Sequence, residues 1–304
     1  MTSNESRKRA GEALHGIFRE RLLVDEPMSR HTTIGVGGPV RWMVLPRAAA
    51  EAARAVRAAN AHGLSYVAVG KGSNLIVRDA GYAGLVIKLA EHMTKVRVNQ
   101  RTVFAQGGAS FAALARKMTK AGRTGLEFGI GIPGSVGGAV HMNAGAFGGE
   151  VGEALVSARI VDAAGAIKTV RATDITFTYR HTSLDPRAVV VAATFKCRPG
   201  AVRRDVYDRS IGRKKTQPIW ERSFGSTFVN PPGKFAADLI ERCGLKGTKR
   251  GGAMFSDLHA NFIVNIEGRA TAADVEALID LARTEVHKRF GVELKTEVVV
   301  IGDR

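Results

Sequence analysis

The chain has 304 residues, 45 of them Lys or Arg against 28 Asp or Glu, a formal net charge of +17 at pH 7, and 45 % hydrophobic residues. A chain of this length buries about 75 % of the surface of its unfolded form, enough for roughly two or three compact domains, which excludes a disordered protein or a small disulfide scaffold. Cys197 and Cys243 are its only cysteines and form no C-x-x-C pair, which argues against a thiolate metal site and for a reducing compartment.

The N-terminal "MTSNESRKRAGEALHG" lacks the apolar core of a secretory signal, and no run of about twenty apolar residues is present to span a membrane. A cytoplasmic, monomeric protein without a membrane partner is expected. The positive charge favours anionic partners. Lys and Arg are dispersed, densest in "SRKRAG" and "GRKKTQ", with no interleaved aromatics, so phosphate-bearing small ligands fit better than nucleic acid.

In chain order, "RWMVLP" (41–46) reads as a strand, "RAAAEAARAVRAANAHG" as a helix ended by Gly63, "YVAVG" (66–70) as a buried strand and "GLVIKL" (84–89) as a third strand. Helix between strands predicts an α/β unit with some parallel pairing. "KVRVNQRTVFAQGGA" predicts a hairpin, and "SFAALARKMTKAG" a helix capped by Ser110 that buries Phe111, Leu114, Ala115 and Met118. "ARIVDAAGAIKTVRA" predicts another hairpin turning at 163–165, and "AVVVAATFKC" (188–197) an apolar strand.

From Arg203 onward a separate α/β module is expected. A charged connector helix, "RRDVYDRSIGRKKTQP", stops at Pro218, and "KFAADLIERCGL" is a short helix ended by Gly244. "TAADVEALIDLARTEVHKRFG" is a longer helix with a Thr271–Asp274 capping box and Gly291 past its end, and "TEVVVIG" is the closing strand.

The chain has no G-x-x-x-x-G-K-[ST], G-x-S-x-G or H-E-x-x-H, and its eight histidines do not fall at metal spacing. Glycine-rich turns remain. "VGKGSNLIV" (69–77) places Gly70, Gly72, Ser73 and Asn74 in succession, a backbone suited either to an anion nest or to an ordinary tight turn. "GIGIPGSVGGAVHMNAGAFGG" (129–149) holds eight glycines and no charged residue among 21. Its apolar residues exclude a flexible linker. Backbone must come close there, to a ligand or to the protein itself.

"RHTTIGVGGP", "VGKGSNLIV", "GLEFGIGIPGSVGGAVHMNAGAFGGEVG", "YRHTS", "FGSTFVNP", "LKGTKRGGAMFSDLHANFIVN" and "LKTEVVVIG" follow in this order. Together they resemble the UDP-N-acetylenolpyruvoylglucosamine reductase (UDP-N-acetylmuramate dehydrogenase) family, in its shorter form, over about Leu22 to Gly302. The resemblance implies an α+β / α/β protein: a PCMH-type two-subdomain FAD-binding fold followed by an α/β substrate-binding domain. The expected divisions are a 1–20 extension, FAD-binding subdomains at 21–90 and 91–202, and connector plus substrate module at 203–304.

It further implies an oxidoreductase of peptidoglycan precursor synthesis. Non-covalent FAD is reduced by NADPH, and UDP-N-acetylglucosamine enolpyruvate then receives hydride at its terminal methylene carbon. The expected cofactor contacts are Gly70, Lys71, Gly72, Ser73, Asn74, Leu75, Ile132, Pro133, Gly134, Ser135, Gly137, Gly138 and Asn143. Arg180 matches the group that grips the substrate carboxylate, Ser226 the proton donor, and Glu297 a third partner that assists proton delivery or stabilises the enolic carboxylate. Tyr179, Gln217, Asn230 and His259 match substrate-binding positions.

The chain departs from the family pattern at Val229, where lysine is frequent, which passes a phosphate contact to Lys234 or Lys249. His141 and Lys295 also replace a frequent aromatic and a frequent acid. Two other readings follow from the glycine-rich turns alone. One is an oxygen-using oxidase of small alcohols or sugars, with His31 or His141 as the nearest tethers for FAD. The other is a non-catalytic nucleotide-binding protein whose basic surface meets nucleic acid.

Overall fold

The computed structural model describes residues 3–212 and 215–303, apart from the side chains of residues 3, 4, 6 and 7. Met1, Thr2, Arg304 and, in the connector, Arg213 and Lys214 lie outside the described residues. The described chain separates into two units, 1–26, 40–71 and 83–211 in the first, and 27–39, 72–82 and 212–304 in the second.

The first unit contains two sheets. One has strand order Leu22–Pro27, Pro39–Val44, Tyr82–Lys88, Tyr66–Val69. Its last pair is parallel, with Tyr66 opposite Leu85, as the intervening helix Ala49–Ala61 predicts. Tyr66–Val69 is not the buried strand expected: it forms the sheet edge, and only Val69 is buried. A residue at an edge covers one neighbour instead of two, so its apolar side chains need not be enclosed. Helix Ser3–Phe18 completes this core with Ala10, Leu14 and Phe18, all fully buried.

The other sheet is antiparallel, in the order Ile167–Arg171, Leu155–Val161, Val189–Lys196, Thr102–Gln106, Val96–Val98. Both predicted hairpins are present in it. Helix Phe111–Lys120 begins at the Ser110 cap, and Phe111 packs its ring 5.8 Å from Phe128 and 5.9 Å from Phe195. The connector helix is described over Arg204–Gly212, and the two residues that follow it, Arg213 and Lys214, lie outside the described residues.

The second unit builds a four-stranded antiparallel sheet, Ser223–Ser226, Phe262–Asn265, Ala253–Phe255, Lys249–Arg250. Helix Ala272–Phe290 has the predicted capping box at Thr271 and Asp274 and ends at left-handed Gly291. It buries Val275, Leu278, Ile279, Ala282 and Val286 in a core shared with Ile34, Val36 and Ile76 from the two N-terminal segments. The closing strand is shorter than expected, Val299–Ile301, and runs parallel to Leu75–Val77. Thr296 makes a separate bridge to Phe228, so the backbone breaks at Glu297 and Val298 to satisfy two different partners.

Candidate active site

In the first unit two glycine-bearing loops touch. A Cβ on Gly70 would overlap Ser135 Oγ, so no other residue fits at Gly70. Ser135 Oγ accepts from the Gly138 N–H (3.3 Å) and caps the short helix Val136–His141. The preceding N–H groups, of Val136 and Gly137, donate to Ala109 O and Gly107 O at 2.8 Å each. A Cβ on Gly137 would stand 2.7 Å from Val190 O, so the protein's own backbone gives the reason for glycine there. Gly129 and Gly149 likewise face Phe111 and Phe128.

Gly138 differs. It is exposed, and a Cβ there would meet only Ser135 Oγ, at 3.5 Å. Exposed Pro133 and Lys71 and half-buried Ile132, Gly134 and Gly70 belong to the same two loops. This set offers bare backbone and an ammonium group with no carboxylate, the donor chemistry that a pyrophosphate takes. The residues present therefore fit the diphosphate of a flavin dinucleotide.

Arg180 lies in the tight turn between Phe177–Thr178 and His181–Thr182, at φ +59°. The left-handed region costs a non-glycine residue about 1–2 kcal/mol, and such conformations persist where neighbours hold them. Arg180 Nη2 donates to Gly145 O (3.0 Å), and its guanidinium lies 4.8 Å over the ring of Tyr179, itself 54 % exposed. Asn143, expected at the cofactor, is instead fully buried: Nδ2 donates to Thr178 O and Oδ1 accepts from Gly152 N–H, both at 2.9 Å. Burial pushes the His141 imidazole down from its ordinary value, and His181 adds to this while Asp185 opposes it.

In the second unit Ser226 ends its strand after a bulge. Ser223 pairs with Val264 and Ser226 with Phe262, one residue more on the first strand than on its partner, and Gly225 has φ +86°. Bulges turn the following side chain away from the regular pleat. Asn261 then fastens the next residues: its carbonyl accepts from Thr227 N–H (2.8 Å), Oδ1 from Phe228 N–H (3.0 Å), and Nδ2 donates to Phe228 O (2.9 Å).

The Glu297 N–H donates to Thr227 O (2.9 Å) and the Val229 N–H to Lys295 O (3.0 Å), which brings Ser226 and Glu297 to neighbouring places on paired backbones. Asn74 Nδ2 donates to Glu297 O (3.0 Å), so an expected cofactor residue also steadies the acidic one. A Cβ on Gly72, at φ +65°, would overlap His31 O. Ser73 is half-buried, and Leu75 is buried where it opens the strand paired with Val299.

Asn230 Oδ1 accepts from Ala236 N–H (3.0 Å) at the start of helix Ala236–Arg242. His259 Nδ1 accepts from Asn261 N–H (3.3 Å), so its neutral ring carries the proton on Nε2. Gln217 is half-buried beside buried Pro218. Thus Tyr179 and Arg180 belong to the first unit, and Gln217, Ser226, Asn230, His259 and Glu297 to the second. A cavity of about 760 Å³ in the second unit is lined by Arg222, Lys249, Asp257 and Glu267, among others, and by none of these five. Asn261 was missed in the sequence; its signal is a lone amide inside the apolar run "ANFIV", which burial obliges to find partners.

Residues 40–171 match the family described as "FAD binding domain", and residues 217–301 the "UDP-N-acetylenolpyruvoylglucosamine reductase, C-terminal domain". The chain is 44 % identical to the UDP-N-acetylenolpyruvoylglucosamine reductase of Heliobacterium modesticaldum, over 94 % of this chain and 92 % of that one. It belongs to that family. The reductase of Geobacillus kaustophilus is 40 % identical over 93 % of each chain. The crystal structure of the Thermus caldophilus reductase superposes with a TM-score of 0.78 at 33 % identity, covering 92 % of this chain and 97 % of that one.

As a UDP-N-acetylenolpyruvoylglucosamine reductase family member the chain is an FAD-dependent oxidoreductase of peptidoglycan precursor synthesis, with the expected flavin-binding fold followed by a substrate-binding domain. Wild-type Phl p 4.0202, a glucose dehydrogenase, shares the fold alone (18 % identity, TM-score 0.50). Among the described residues no helix is long and apolar enough to cross a membrane.

Proposed function

We propose that this enzyme uses NADPH to reduce the enolpyruvyl ether of UDP-N-acetylglucosamine enolpyruvate to UDP-N-acetylmuramate, with Arg180, Ser226 and Glu297 as its acting groups. The observation that carries the reading is the backbone pairing of 227–229 with 295–297, which sets Glu297 opposite Thr227, the neighbour of Ser226. Non-covalent FAD would be held by residues of the Gly70–Leu75 and Ile132–Gly138 stretches and, when bound, would supply the hydride.

Arg180 takes the substrate carboxylate in two parallel hydrogen bonds. Its permanent charge counts most as negative charge spreads onto that carboxylate, so it favours the transition state over the ground state. Ser226 Oγ gives its proton to the carbon next to the carboxylate, which completes addition of hydride and proton across the double bond. A hydroxyl is a weak acid, and the transfer needs a strongly basic carbon and the exclusion of water. Glu297 assists proton delivery at Ser226. Tyr179, Gln217, Asn230 through its remaining amide donors, and His259 through Nε2–H bind the sugar nucleotide.

The enzyme acts as a cytoplasmic monomer in this reading, with residues 21–90 and 91–202 serving the flavin and 203–304 the substrate. Neither nucleic acid nor membrane is a partner. Anaerobic stopped-flow measurements test it. NADPH bleaches the flavin, and UDP-N-acetylglucosamine enolpyruvate restores the colour; a flavin that this substrate leaves reduced refutes the reading. Ser226→Ala keeps the NADPH step and slows reoxidation about 10²–10⁴-fold, the usual weight of a positioned acid. Equal loss in both steps removes Ser226 from its role.

A further inference from the structure

We propose that Asn143 is a positioning residue for Arg180: it clasps the turn that holds the arginine in its left-handed conformation. The proposal rests on the reading above, in which Arg180 grips the substrate carboxylate. The hairpin Phe177–Thr182 has two-residue strands, far too little pairing to be stable unaided. Three bonds fasten it to the segment 141–145. Asn143 Nδ2 donates to Thr178 O (2.9 Å), Arg180 Nη2 to Gly145 O (3.0 Å) and Thr182 Oγ1 to His141 O (3.0 Å).

Asn143 is the central clasp. Its side chain is fully buried, and its Oδ1 accepts from Gly152 N–H (2.9 Å), so one amide ties Thr178 to Gly152. The residue adopts φ +44° itself, which asparagine tolerates better than larger side chains. No atom of it is exposed to meet a cofactor or substrate. When the clasp opens, the turn loses the Asn143 donor to the Thr178 carbonyl, two positions before Arg180, and the arginine is free to leave its costly φ for an ordinary one. A guanidinium displaced by about 1 Å loses a bidentate grip, an error of the size that costs about 100-fold in rate.

Asn143→Asp in the holoenzyme separates the two ends of the amide. It keeps an acceptor for Gly152 N–H and sets an oxygen against Thr178 O where a donor stood. FAD content and the rate of flavin reduction by NADPH should stay within about twofold, while reoxidation by UDP-N-acetylglucosamine enolpyruvate slows about 10–100-fold. In an Arg180→Ala background the same substitution should change reoxidation by less than about threefold, because residues acting through one another are not additive. Thr182→Val, which removes the bond to His141 O, should reproduce the selective loss in milder form and serves if Asn143→Asp fails to fold.

Multiplicative losses in the Arg180→Ala background overturn the proposal. Loss of FAD from Asn143→Asp does so too, by making Asn143 a cofactor support. If Arg180→Ala slows reoxidation and Asn143→Asp does not, the clasp alone is wrong. If Arg180→Ala leaves reoxidation unchanged, the reading of Arg180 falls, and the proposal with it.

Discussion

Beside Ser226, Thr227 buries its hydroxyl completely, and Oγ1 finds no hydrogen-bond partner among the described residues. An unsatisfied buried hydroxyl costs roughly 1–3 kcal/mol, and valine has nearly the same shape without it. Thr227→Val should therefore raise the unfolding free energy by about 1 kcal/mol in urea titrations. A fall would show that the hydroxyl has a partner worth keeping. His141 gives a second test. Burial, helped by His181, holds its folded-state pKa below the ordinary 6.5, against the pull of Asp185. The unfolded chain then binds this proton at a higher pH than the folded one, so stability should fall as pH drops below about 6.5 and be free of this penalty above it. His141→Gln should flatten that limb of the stability curve; an unchanged slope assigns the acid sensitivity to other groups.

At the scale of elements, the glycine-rich stretch divides into two kinds of glycine. Gly137 is fitted to Val190 O at 2.7 Å for a virtual Cβ, whereas Gly138 faces outward with room to spare. Gly137→Ala should thus overpack the protein itself, by about 1–3 kcal/mol, with or without flavin. Gly138→Ala should leave the apoprotein as stable or up to about 1 kcal/mol more so, since alanine suits a helix better, while FAD binding weakens. Thermal melts of both forms, with a flavin titration, separate the two; equal behaviour would erase the distinction.

The sequence could not make this division, because freedom from a Cβ looks the same whether a ligand or a strand lies opposite. What it did disclose was local. The Ser110 cap, the Thr271–Asp274 capping box and the hairpins depend on neighbours a few residues away, and all are present. The break at Glu297 was illegible, since it is set by Phe228 and by Leu75–Val77, far off in the chain. The helix Ser3–Phe18 was missed because Ala10, Leu14 and Phe18 are sparse among polar neighbours. Arg180, Ser226 and Glu297, the acting groups of the proposed reading, come from their motifs, whereas the bonds that Asn143 makes to Thr178 and Gly152, and Asn261 to Phe228, show only once the folded backbone does.

For the whole molecule, the net charge of +17 acts at a distance. In the proposed reading the two ligands, NADPH and a nucleotide sugar, are both polyanions, whose encounter with a strongly positive protein is hastened until salt screens it, over about 10 Å at 0.1 M. Raising ionic strength from about 0.05 to 0.5 M should lower kcat/KM for both several-fold while kcat changes little. A flat response would mean that the charge does not serve capture.

The division of the chain between two units has a further consequence, in the order of synthesis. The second unit takes its core from Ile34, Val36 and Ile76 as well as from the C-terminal helix, and Asn74 meets Glu297 223 positions later. At about 5–20 residues per second, the early pieces leave the ribosome roughly ten to forty-five seconds before their partners exist. Through that interval the apolar strand Leu75–Val77 has an unpaired edge. A nascent chain stalled or cut short before Val299–Ile301 therefore exposes an adhesive edge, which makes that strand as important for the protein's yield as for its fold.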